Sequence, residues 1–196
     1  MLELMKYSIK IDEYVSRLRI GVVCSRFVMN LLWRAGVDCV RYVGDFITPQ
    51  DVFCDVSLDV YDANSYDIPN SKEDTLVISN LASELSLEFF EKALRGCDVV
   101  ISHRYCKLSA KAAEKLGVPF IPPAVTCFLP EDIDSKIEVI EKLEKELPRN
   151  PIGYSMLCSA QVMEVLRLCT NGEALLAPEA YLIKEKPPFF EKVKLW

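Results

Sequence analysis

Histidine is almost missing from the chain. His103 stands alone among 196 residues, so any imidazole chemistry falls to that one side chain. No two cysteines have CxxC spacing, which leaves out a zinc ribbon or a thioredoxin-type motif. Walker A, GxSxG and HExxH are absent as well. The turn after the first predicted strand reads CSRF, not GxGxxG. A glycine-free turn does not bring its backbone against a pyrophosphate in the usual way, so dinucleotide binding of that kind is disfavoured. No segment approaches the unbroken apolar length of a membrane span. The charged start, MLELMKYSIKIDEYVSRLR, has no hydrophobic signal core and no small-residue cleavage site. Nor is there a lysine or arginine run, and the net charge of -6 argues against a duplex-binding surface. These absences lead us to expect a cytoplasmic protein with neither membrane nor nucleic acid as partner.

What remains is a chain that is 51% apolar, enough for a packed core, and short enough for one domain with a small appendage. It carries 8 cysteines: Cys24, Cys39, Cys54, Cys97, Cys106, Cys127, Cys158 and Cys169. In a reducing cytosol these stay thiols. Most then read as small buried hydrophobes.

Length and β-branching place buried strands at Arg19–Cys24, Val37–Val43, Thr75–Ser79, Asp98–Ile101 and Val118–Ile121. Between them lie helical patterns. One opens at Ser25 and Arg26 and closes at Gly36; another ends at Gly96. A third runs from Lys107 to Leu116, with Gly117 as its C-cap. Strand–helix–strand repetition implies parallel pairing and right-handed crossovers. The predicted fold is α/β, a Rossmann-like and mostly parallel sheet over residues 1–150. Residues 1–18 read as an amphipathic lead-in. The Asp-rich stretch 45–74, with Asp51, Asp55, Asp59, Asp62 and Asp67, lacks EF-hand spacing and reads as a solvated loop able to serve as a lid. A long charged helix is expected from Pro130, with Ile133, Ile137, Ile140 and Leu143 at helical spacing, stopped by Pro148 and Pro151. Residues 151–196 are expected to form an extension packed on the same domain. Ile152–Leu157 and Val162–Leu168 read as a hairpin around Cys158-Ser-Ala-Gln, and Ala174–Ile183 as a helix. The Pro-broken tail either packs back on the body or contacts another subunit of a homo-oligomer.

Loops after parallel strands gather at the carboxyl edge of the sheet, where open α/β folds hold ligands. That edge would collect Cys24, Ser25 and Arg26; Ser79 and Asn80; Ser102, His103, Arg104 and Cys106; and Thr126 and Cys127. A thiol beside an imidazole is a candidate nucleophile, because the thiolate is the reactive form. His103 and Cys106 are three residues apart at a helix start, whose dipole would lower the thiol pKa. Cys127 is the second candidate. Asn171 and Gly172, in LCTNGE, are candidate anion contacts before a helix; Asn-Gly is equally a plain turn. The same residues allow another reading, in which Cys106, Cys127, Cys158 and Cys169 close on zinc or an iron–sulfur cluster.

Three stretches carry a family resemblance: DTLVISNLASELSLEFFEKAL, AVTCFLPEDI and VMEVLRLCTNGEALLAPEAYLI. Over Thr75–Ile183 the chain resembles a mainly archaeal family of unknown function once labelled thymidylate synthase-like. This chain has Cys169-Thr-Asn-Gly where that family tends to a proline-cysteine-glycine turn. The label does not carry over. The Pro-Cys-His motif of folate-dependent thymidylate synthases is missing, and Ser102-His103-Arg104 only echoes the Arg-His-Arg of the flavin-dependent class. The sequence thus leads us to expect an enzyme that binds a small anionic or nucleotide-like ligand at the carboxyl edge, with Cys/His chemistry from His103, Cys106 and Cys127. The alternative is a non-catalytic metal or iron–sulfur protein. No cofactor and no reaction can be named from it.

Overall fold

The computed structural model describes residues 14–37, 39–44, 76–78, 85–170, 173–184, 186–187 and 189–196. The chain is an α/β protein. Five parallel strands form one sheet: β1 (Arg19–Val23), β2 (Cys39–Val43), β3 (Leu76–Ile78), β4 (Val99–Ser102) and β5 (Phe120–Ile121), in the order β3-β2-β1-β4-β5. The order reverses between β1 and β4. The helices are α1 (Arg26–Arg34), α2 (Leu87–Ala93), α3 (Cys106–Leu116), α4 (Pro130–Ile133), α5 (Ile137–Glu144) and α6 (Pro151–Thr170). The helix expected from Pro130 is therefore divided, with a tight turn at Asp134–Lys136 between α4 and α5.

Both faces of the sheet are covered, and the strands show it residue by residue. Ile20, Val22, Val40, Tyr42, Val99, Ile101 and Ile121 face one core, shared with α1 and α6. Val23, Val43, Val100 and Phe120 face the other, shared with α2, α3 and α5. Side chains of a strand alternate between faces, so burial on both sides needs the near-continuous apolar runs seen here. Gly21 sits where the second core leaves no room. A Cβ there would lie 2.8 Å from Leu94 Cδ2 and 3.3 Å from Cys97 Sγ.

The C-terminal part differs from the sequence reading in order. Residues 151–170 are one helix, not a hairpin. Asn150 Oδ1 accepts from the Gly153 amide at 2.7 Å, with Pro151 at the first helical position. No glycine, proline or aspartate interrupts the helix after Gly153. The buried positions Gly153, Tyr154, Leu157, Cys158, Gln161, Val162 and Val165 recur at helical spacing. Buried Gln161 and Glu164 are polar, and they disguised that stripe. The hairpin comes later: β6 (Glu179–Ile183) pairs antiparallel with β7 (Phe190–Lys194). Tyr181 also exchanges hydrogen bonds with Val125 at 2.9 and 3.1 Å, which draws this segment into extended form. No helix among the described residues is long and apolar enough to cross a membrane.

Candidate functional site

At the sheet reversal two strand ends adopt the same unusual backbone. Cys24, just past β1, and Tyr105, just before α3, each have φ 56°. Left-handed backbone is sterically costly for a side chain with a Cβ, and such positions concentrate at functional sites. Gly44, after β2, approaches closely; a Cβ there would meet Cys24 Cα at 3.0 Å.

Ser25 follows Cys24 and caps α1, its Oγ accepting from the Val28 amide at 3.4 Å. That Oγ also lies 2.9 Å from Tyr154 Oη on α6. Tyr154 Oη is 3.1 Å from His103 Nδ1, and His103 Nε2 is 2.7 Å from Gln161 Oε1. Gln161 Nε2 donates to the Pro122 carbonyl at 2.6 Å. A carbonyl only accepts, so this last bond fixes the amide orientation. Oε1 then faces His103, and the imidazole carries its proton on Nε2. Nδ1 is left as acceptor for the Tyr154 hydroxyl, and Ser25 donates to Tyr154. A directed chain of hydrogen bonds thus runs from Ser25 to Pro122 across the carboxyl ends of β1, β4 and β5. Helix α6 supplies two of its five members.

His103 is 1% exposed. Burial pushes its pKa down to about 4, against a smaller opposing effect of the Gln161 hydrogen bond. The imidazole is neutral at pH 7. Its two nitrogens are both engaged, so it is a satisfied, fixed group.

Cys106 is the first residue of α3 and is fully buried. Its Sγ turns back to the Ser102 carbonyl at 3.6 Å and to Ser102 Oγ at 3.8 Å. The expected dipole-lowered thiol is not found. Burial, and then the Glu144 carboxylate, push Cys106 well above its ordinary pKa. Glu144 occupies the helix N-terminus itself: its two oxygens accept from the amides of Tyr105 at 3.2 Å and Cys106 at 2.9 Å. The chain's own carboxylate fills the place an anionic ligand of α3 would take. Cys127 is likewise fully buried in the core shared with α1 and α6, with its pKa pushed up to about 12 by burial and then by Cys169. Cys169 is partly exposed and lies at about 11, raised by burial and then by Asp98. Cys158 packs in the same core as Cys127, 3.9 Å from Ser25 Oγ.

Of the other candidates, Ser102 donates to the Arg104 carbonyl at 2.6 Å and accepts from Ser109 at 2.9 Å. Thr126 donates to the Glu179 carbonyl at 2.8 Å, tying β6 to the body. Arg104 is exposed and Arg26 half-buried at the start of α1. Asn80, Asn171 and Gly172 lie outside the described residues, as do Ser79, Cys54 and the stretch 45–74. Among the described residues, no group of three His, Cys, Asp or Glu side chains is placed to hold a metal ion. Cys106, Cys127, Cys158 and Cys169 therefore do not close on one. Sequence reasoning missed Tyr154, Gln161 and Glu144. The signal for Tyr154 and Gln161 was their placement with Cys158 at helical spacing, visible only if residues 151–170 are read as a helix.

No protein-family model matches the chain, and no curated protein does. Among solved structures, a crystal structure of selenomethionine PaaA is similar, with a TM-score of 0.61 at 11% identity. The match covers 94% of this chain and 66% of that one, so this chain spans just under two thirds of PaaA's length. The likeness is one of fold.

Proposed function

We propose that the chain is a binding protein for a small anionic or nucleotide-like ligand, held at the carboxyl edge where the strand order reverses between β1 and β4. The observation that carries this is the paired left-handed backbone at Cys24 and Tyr105, one beyond each of those strands. Strain at both strand ends of a sheet reversal supports a site there, because ligands of open α/β sheets gather at that point. Arg104 is the exposed cation beside it, with Arg26 on the β1 side. The thiols take no part in this reading: Cys106 and Cys127 are buried and protonated at neutral pH. His103 holds the edge in shape through Gln161 and Tyr154 and does not meet the ligand.

Calorimetric titration with inorganic phosphate, pyrophosphate and adenosine monophosphate tests the reading. We expect saturable binding of at least one, weakened about tenfold by Arg104→Ala without loss of stability. Cys106→Ala and Cys127→Ala should bind as the parent does. An absence of binding to all three, or an unchanged affinity in Arg104→Ala, would remove the proposal.

A further inference from the structure

Among the described residues, strand β7 ends the C-terminal hairpin with an unpaired edge. The Lys184 amide donates to the Phe189 carbonyl and the Leu195 amide to the Pro178 carbonyl, both at 2.9 Å. Odd-numbered residues of this strand therefore turn their main chain toward β6. In an antiparallel pair the alternate residues turn theirs away. The amides and carbonyls of Phe190, Lys192 and Lys194 point outward, and among the described residues no strand pairs with them.

The side chains of those three residues share one face of the hairpin. On that face Phe190 lines an apolar groove with Met156, Ala160 and Met163 of α6. Helix α6 is unusual for a surface helix. Glu164 and Arg167 are its only charged residues, and Ile152 and Met163 on its outer side are 72% and 51% exposed. Lys192 and Lys194 continue the face beyond the groove, and both are exposed; Lys192 lies 2.8 Å from the exposed Glu179 carboxylate across the hairpin, a surface pair that an incoming carboxylate can displace.

We propose that this edge takes an extended, acidic segment of a partner protein by strand addition. Its main chain pairs with Phe190, Lys192 and Lys194. Every second side chain of the segment lies on that face: an apolar one enters the groove beside Phe190 and Met163, and the carboxylates that follow it at the same alternation face the two lysines. A second copy of this chain fits the edge poorly. In any two-fold antiparallel self-pairing that engages at least two of these outward residues on each strand, Lys192 meets a counterpart Lys192 or Lys194, or Glu191 meets Glu191. Like charges directly opposed are destabilising. Edge lysines are a known guard against self-pairing, and the same charge favours an acidic visitor.

The probe is a short fluorescein-labelled peptide with leucine, glutamate and glutamate at successive alternate positions and threonine between them, followed by anisotropy as the full chain is added at low salt. Saturable binding is expected. N-methylation of the alternate amides that would face β7 should weaken it about tenfold, since it removes main-chain donors. Lys192→Glu with Lys194→Glu should weaken it about as much and gain binding of the counterpart peptide with lysine in place of each glutamate. Met163→Glu is an independent check on the groove and should also weaken the acidic peptide. The proposal is overturned by an absence of saturable binding, by equal binding of the glutamate and lysine peptides, or by a methylated peptide that binds as well as the parent. A wild-type dimer in sedimentation that Lys192→Glu disperses would assign the edge to a second copy and overturn it too. None of these outcomes depends on ligand binding at the carboxyl edge.

Discussion

Gln161 decides which nitrogen of His103 carries the proton. Its amide is anchored on the Pro122 carbonyl at 2.6 Å, so its oxygen meets His103 Nε2 at 2.7 Å as an acceptor. A second proton, on Nδ1, would reverse the bond from Tyr154 and with it the direction of the Ser25 contact.

Stability should therefore depend on pH through this one group. Its folded pKa is about 4, below the ordinary value of 6.5. Between those values the unfolded chain binds the extra proton and the folded chain does not. The contribution is complete above pH 6.5, falls as pH drops through the window, and is gone below about 4. The full difference is about 3 kcal/mol. Urea denaturation of wild type and His103→Gln from pH 7 to pH 4 checks it: the gap between the two curves should change with pH in this sense. Parallel curves would show that His103 does not titrate with folding.

Glu144 should matter more than a partly exposed glutamate usually does. It accepts from two amides at the start of α3. Glu144→Ala leaves both without that acceptor and should cost about 1–2 kcal/mol, the scale of a lost helix cap. Glu144→Gln keeps one acceptor oxygen and should lose less. The shift in urea midpoint measures both variants, and an unchanged midpoint in Glu144→Ala would count against the capping role.

The buried thiols should be inert. With Cys97 and Cys127 pushed up to about 12, and Cys106 raised by burial, native protein at pH 8 should react slowly with a disulfide reagent at these positions. Cys169, partly exposed and nearer 11, should react before them. Denaturant should release the rest. Rapid labelling of Cys106, located by peptide mapping, would contradict the geometry.

Gly21→Ala should be damaging in the middle of a strand that otherwise welcomes side chains. The added methyl meets Leu94 Cδ2 at 2.8 Å. Relief of that contact requires movement in the core, at a cost of about 1–3 kcal/mol. Paired with Leu94→Ala, part of the loss should return. A double variant no better than the sum of the two changes would rule out this clash as the cause.

The parallel sheet was legible because its strands are short and β-branched, and β1, β2, β4 and β5 are buried on both faces. Such runs leave little choice between strand and helix when glycines and prolines bound them, as Gly36, Gly96, Gly117 and Pro122 do. Helix α6 was misread because apolar runs of six or seven residues do not distinguish helix from strand. Its polar members Gln161 and Glu164 look like breaks until their partners are known. Those partners, the Pro122 carbonyl and the Leu175 amide, are distant in sequence or on a loop. Extended form at Glu179–Ile183 came from pairing with Val125 and Phe190–Lys194, which local propensity does not contain. The placement of His103, Cys106 and Ser25 near the carboxyl edge was readable from topology. Whether their side chains met each other or another element was not, and Cys106 turned to Ser102 while His103 turned to α6.

Because Tyr154 and Gln161 lie 51 and 58 residues beyond His103, the ribosome makes the histidine well before its partners. At about 5–20 residues per second the interval is roughly 3–12 seconds. Over that interval α6 is not yet there to cover its side of β1 and β4 or to hold His103. The last long helix is thus a keystone in time as well as in space. A nascent chain stalled before Pro151 should display the sheet's unfinished face to chaperones, and release of the following twenty or so residues should end that exposure in one step.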